Sequence, residues 1–145
     1  MMHAHVNYLA VVVAALAAMM VGFVWYSQAL FGRMWIKIIG KENLSQVEQE
    51  QMKKDTGPYF GVMFAGTLIG AFVFALFIRW LHAYTAVEGM QIAFWAWLGF
   101  IFPVVLGAAL FSGKDKDLVW LLFLIQAGHS LAGMLVMGAI LGMWR

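Results

Sequence analysis

The stretch Val6 to Phe31, VNYLAVVVAALAAMMVGFVWYSQALF, decides the fold class. It contains no Asp, Glu, Lys or Arg. A bilayer core needs about 20 consecutive apolar residues per crossing helix, and this run is long enough. Three more runs qualify: about Tyr59 to Trp80, about Gly89 to Phe111 and about Leu118 to Trp144. The opening MMHAHVN lacks the positive n-region of a signal peptide, and the apolar run is too long for one. The first segment therefore reads as a retained helix.

Composition agrees. Of the 145 residues, 64% are hydrophobic and 11% charged, against about 45–50% and about 25% in soluble domains. A chain of this size could not bury so much apolar surface in water. The expected fold is an all-α integral membrane protein: four transmembrane helices in one bundle, a single domain over residues 1–145. Residues 32–57 form the expected cytoplasmic loop. The lipid bilayer is the expected partner. With no cysteine, disulfides, thiolate catalysis and cysteine metal sites are excluded. A net charge of +2 without a basic, aromatic-interleaved run speaks against nucleic acid.

The basic residues give an orientation. Arg33, Lys37, Lys41, Lys53 and Lys54 lie between segments one and two, and Lys114 and Lys116 between three and four. Only Arg79 and Arg145 fall on the other side. The positive-inside rule then puts both loops in the cytoplasm of a bacterium and both termini in the periplasm, in a multi-pass inner-membrane protein. Within the first loop, Gly40 reads as a helix stop, and Ser45 with Glu48 as a capping box. That box is expected to open a short helix to Lys54, either a solvated connector or a docking site. Pro58 is expected at the start of the next helix.

Segments two and four share a pattern: Gly61-x-x-x-Ala65-Gly66-x-Leu68-Ile69 and Gly128-x-x-x-Ala132-Gly133-x-Leu135-Val136. Two duplicated hairpins are one reading of it, chance similarity the other. Helices in lipid associate where small residues let backbones approach. Ala14, Ala18 and Gly22, then Gly66 and Gly70, then Gly133, Gly138 and Gly142 are the expected packing positions. Gly138 and Gly142 either pack within the chain or make a homo-oligomer contact.

Candidate chemistry is sparse. No charged side chain lies deep in a segment, which leaves His129 as the single deep ionisable group. Gln126, His129, Ser130 and Gly133 share one helical face, expected to point inward. It is either interhelical glue, a path for a small ligand or ion, or a weak metal or cofactor site. Pro103 lacks an N–H and should leave the carbonyl of Gly99 free. The ring is also expected to kink the helix, with the kink facing the interior and His129, Gln126 or Trp97 as donor to that carbonyl. Asn7 stands at the outer end of segment one, at a polar mouth or simply at the interface. His3, third from the amine, is a remote Cu(II) or Ni(II) site. No Gly-x-Ser-x-Gly, His-Glu-x-x-His, phosphate loop or dinucleotide fingerprint occurs, so no cofactor is expected.

Asn7, Trp25-Tyr26-Ser27, Phe31-Gly32-x-x-Trp35, Gly40, Trp97-Leu98-Gly99-Phe100 and Gly138-Ala139-Ile140-Leu141-x-x-Trp144 resemble the bacterial "domain of unknown function 1761" family. The resemblance spans nearly the whole chain. It implies a small four-helix membrane protein and brings no catalytic residues with it. Gln28 stands where that pattern often has a proline after Tyr-Ser. The rings of Trp25, Tyr26 and Trp35 read as an interfacial belt, with any ligand site on the fourth helix. Three functions follow, in order: a protein that binds or passes a small ligand, a non-transporting scaffold or accessory subunit, and a membrane enzyme using His129 as base on a lipophilic substrate.

Overall fold

The structure is a computed structural model and describes residues 6–144. Those residues are all helical apart from turns: α1 (Tyr8–Trp25), α2 (Gly32–Ile38), α3 (Gln46–Trp80), α4 (Ala86–Ala96), a π-helical turn (Trp97–Ile101), α5 (Phe102–Leu110) and α6 (Lys116–Met143). Four stretches are long and apolar enough to cross a membrane: α1, α3, α4 continuing into α5, and α6. His3 and its metal reading lie outside the described residues.

Helix α6 is central. It packs along α1 on one side and along α4 and α5 on the other, while α3 lies mainly on α1. Neighbours run antiparallel. Gly22 meets His129 where Ala18 meets Gly133, and Gly89 meets Gly138 where Phe102 meets Phe123. Phe23 and Phe60 pair at 5.6 Å between α1 and α3, and Tyr8 with Phe72 at 6.3 Å. The end of α3 that reaches the common core carries Ala71, Phe74, Ala75 and Ile78.

Small residues set the closest approaches, as expected from helix packing without a hydrophobic drive. A methyl on Gly138 would run into the carbonyl of Gly89, and one on Gly142 into the carbonyl of Thr85. Gly138 and Gly142 are buried inside the chain, so the homo-oligomer contact weighed for them is not available. Gly66 and Gly70 depart from expectation. Both are exposed, with nothing near the position of a Cβ. The proposed repeat does not extend to surroundings: Gly61 is open where Gly128 is filled by Trp25.

Three boundaries differ from the sequence reading. Helix α1 ends at Trp25 rather than Phe31. The chain then folds back, with Phe31 N–H bonded to Trp25 O at 3.1 Å and Gly32 N–H to Ser27 O at 2.9 Å. A Cβ on Gly32 would collide with the carbonyl oxygens of Tyr26 and Ser27, so this turn needs glycine. The short helix expected from Ser45 and the membrane helix expected from Tyr59 are one helix, α3. At 35 residues it is about 52 Å long, well beyond a ~30 Å hydrocarbon core. Pro58 therefore sits inside a helix. It is exposed, where water can take the carbonyl its missing N–H leaves free. The third segment is broken at the π turn, where Phe102 N–H reaches back five residues to Trp97 O. Pro103 lies in the first turn of α5, where a missing N–H costs little.

Other local signals hold. Ser45 and Glu48 form the capping box, with the carboxylate accepting from Ser45 N–H at 2.8 Å. Gly40, at φ +71°, ends α2 in a Schellman turn: Lys41 N–H bonds Ile36 O and Gly40 N–H bonds Lys37 O, both at 3.0 Å. Lys114 Nζ donates to Ile38 O at 2.7 Å and ties the negative end of α2 to the loop before α6.

Denaturant unfolding in detergent separates the filled from the open glycines. Gly138→Ala is expected to cost about 1–3 kcal/mol, as overpacking does. Gly66→Ala is expected to be neutral or to stabilise by up to about 1 kcal/mol, since alanine favours a helix. A reversed order would show that α3, not α4, holds the tight contact.

Candidate functional site

The site is assembled around α6, where two indoles fix the neighbouring elements. Trp25 donates its Nε1–H to the carbonyl of Ile125 at 3.0 Å. Its ring fills a notch at Gly128, where a Cβ would stand 2.7 Å from Cζ2. Trp97 is 7% exposed and donates Nε1–H to Ser130 Oγ at 2.9 Å. Ser130 in turn donates to Ala127 O at 3.0 Å. One bond holds the end of α1 and the other the start of the π turn.

Between these two anchors lies His129. Gly22 makes room for it: a Cβ there would be 3.0 Å from Nε2. The Tyr26 ring stands 5.1 Å from the imidazole and that of Trp25 6.5 Å. Tyr26 also meets Trp35 edge-on at 5.2 Å. The turn 26–31 brings α2 back under α1 and so places Trp35 there.

These residues border a cleft of about 450 Å³. Gln126, His129 and Ser130 form its floor, and Tyr26 and Trp35 one wall. Val104, Val105 and Ala108 of α5 form a second wall, and Met63 of α3 the third. Helices α3 and α5 are not packed against each other, and Met63 and Val104 are both mostly exposed. The cleft therefore opens sideways between two apolar helices.

Its polar groups are unusual in one respect. Trp25, Trp97 and Ser130 beside it all have hydrogen bonds. Among the described residues, the side chains of Tyr26, Trp35, Gln126 and His129 have none. No Asp, Glu, Lys or Arg lines the cleft. Among the described residues no three of His, Cys, Asp and Glu gather as a metal site.

Of the sequence candidates, Gln126, His129 and Ser130 meet in the cleft, and Trp97 stands behind it, bonded to Ser130. Gly99 and Pro103 do not join them. Both are exposed, against the expectation that the kink turns inward. Helical spacing is the reason: Gly99 lies two residues after the inward Trp97, on the opposite face, and Pro103 follows the inward Phe102 and points away from α6. The donor expected at Gly99 goes instead from Trp97 to Ser130. Asn7 caps α1 at the far end, accepting from Leu9 N–H at 3.1 Å and Ala10 N–H at 3.2 Å. Tyr26 and Trp35, read from sequence as an interfacial belt, line the cleft instead, because an aromatic belt and a site wall look alike in sequence. Glycines 22 and 128 on facing helices are the one signal that rings are seated there.

The fold and the site thus define a class: an all-helical chain with four membrane-length apolar helices and a lateral cleft on the central one. Residues 9–142 match the family described as "Protein of unknown function (DUF1761)". The chain belongs to that family. No curated protein and no solved structure matches it.

Trp25→Phe keeps a ring in the Gly128 notch but removes the donor to Ile125. The expected loss is about 0.5–1.5 kcal/mol, the worth of one hydrogen bond, read from unfolding in detergent. Gly128→Leu, which evicts the ring, should cost clearly more.

Proposed function

We propose that this protein is a multi-pass protein of the bacterial inner membrane that binds a small lipid-soluble ligand in the His129 cleft. The observation that carries the reading is the set of four half-buried polar side chains, Tyr26, Trp35, Gln126 and His129, which line an apolar cleft and make no side-chain hydrogen bond among the described residues. Their polar atoms are accessible from the cleft, and where lipid takes the place of water such a group costs a few kcal/mol unless something bonds it. Within a bilayer that cost is met by a ligand or by trapped water. The cleft volume falls within the range of about 300–1,000 Å³ typical of small-molecule sites, and its side opening suits entry from lipid.

Proton coupling has less support. His129 has no carboxylate beside it, and the cleft holds no charged group. The same absence weighs against His129 as a catalytic base. The scaffold reading rests on a separate observation: Gly57, Gly61, Gly66 and Gly70 of α3 are exposed with open space beside them, a surface on which another helix, including one from a second copy, fits closely. For orientation we retain the positive-inside assignment, with α2, the α3 extension and the Lys114 loop in the cytoplasm.

The ligand reading is tested by extracting protein reconstituted directly from native membranes into nanodiscs and identifying bound small molecules by mass spectrometry. Wild type is expected to retain one lipophile above the level in empty discs, and His129→Leu of equal thermal stability to lose it. Identical extracts from protein and empty discs would refute the reading. A reporter fused after Arg145 tests orientation: alkaline phosphatase should be active there and a fluorescent protein dark.

A further inference from the structure

We infer that the ligand is a neutral carbonyl compound with a flat ring and an apolar tail, a lipid-soluble quinone; this rests on the reading of the His129 cleft as a ligand site. The first argument is charge. No cleft residue carries a formal charge apart from the titratable His129, and a charged headgroup buried without a counter-charge is strongly disfavoured. Phosphates, carboxylates and quaternary amines are therefore poor occupants.

The second argument is the hydrogen-bond inventory. The indole N–H of Trp35 can only donate. The Gln126 amide, the Tyr26 hydroxyl and the neutral imidazole of His129 each have a donor to give, and none of the four makes a side-chain hydrogen bond among the described residues. Ser130 is already engaged on both sides, by Trp97 and Ala127. Unused donors ask for acceptor oxygens, and carbonyls supply these without charge. The amide oxygen of Gln126 and the second imidazole nitrogen can accept from the corresponding hydroxyls, so the reduced form fits as well.

The third argument is shape. Tyr26 and Trp35 meet edge-on at 5.2 Å and wall one side of the cleft, which leaves a ring face for a flat head to lie against. On the open side, Met63, Val104 and Ala108 offer only apolar surface, along which an alkyl or isoprenoid tail can leave between α3 and α5.

The test is saturable binding of tritiated decyl-benzoquinone to the full chain in nanodiscs, competed by decylbenzene, decyl phosphate and decyltrimethylammonium. The expected result is one saturable site, competed at least about tenfold better by unlabelled quinone than by the others. Trp35→Phe and Gln126→Leu should each weaken it about tenfold, the effect of one lost hydrogen bond. Trp35→Phe keeps the ring and guards against a variant that fails to fold. Binding in which decyl phosphate or decyltrimethylammonium competes as well as the quinone overturns the quinone inference and leaves the ligand site standing. Equal competition by decylbenzene does the same, since the carbonyls then contribute nothing. Absence of saturable quinone binding overturns the quinone inference, and the ligand site falls with it only if wild type also retains no lipophile above empty discs.

Discussion

The indole of Trp25 lies in the notch left by Gly128 and donates to the carbonyl of Ile125. Much of the remaining architecture depends on that contact. α1 ends at the same residue, and the next six residues turn back through the Gly32 crossing. The turn sets α2 beneath the helices, where Lys114 ties down its C-terminus. Tyr26 and Trp35 are thereby brought to His129, which would otherwise face only the side of α1. A single large ring against a single missing side chain thus converts two helices into one wall of a cleft.

The opposite wall depends on the π turn. Without it, α4 would run straight into α5 with Gly89, Ala93, Trp97 and then Ile101 on the α6 side. The extra residue moves Phe102 against Phe123 and leaves Trp97 pointing at Ser130. π turns are uncommon and concentrate at functional sites, and this one carries Trp97, which stands behind the cleft and bonds Ser130 of its floor. At the other end of α4, the tight Gly89–Gly138 crossing holds α4 on α6. α5 needs no comparable contact with α3, so the gap between them stays open.

Sequence gave good access to features that depend on local chemistry. Apolar run length found all four long helices, the Ser45–Glu48 spacing found a capping box, and Gly40 found a helix end. The face bearing Gln126, His129 and Ser130 was legible from helical spacing, and these three do meet in one cleft. What was not legible depended on contacts between distant residues. Nothing local in Trp25-Tyr26-Ser27 distinguishes a ring anchored in headgroups from one seated on Gly128. Pro103 marked an irregular helix, but whether that is a kink toward the interior or a π turn with the proline outward is decided by packing on α6. Gly66 and Gly70 had the small-residue spacing of a contact without a partner in the chain. Of the residues that carry the family resemblance, Trp25 and Tyr26 stand against His129, and Trp35 lines the same cleft.

We propose that the cleft beside His129 is approached from the lipid, and one measurement tests this directly. Because the chain has no cysteine, a nitroxide can be attached at a single introduced one, Ala108→Cys, on the α5 wall. Power-saturation EPR in liposomes then compares its collisions with oxygen, which concentrates in the bilayer, and with a water-soluble nickel chelate. Our account expects high oxygen and low nickel accessibility, with oxygen access falling when the ligand is bound. High nickel accessibility with little oxygen access would contradict it, because the cleft would then be a water-filled cavity rather than a side entrance from the membrane.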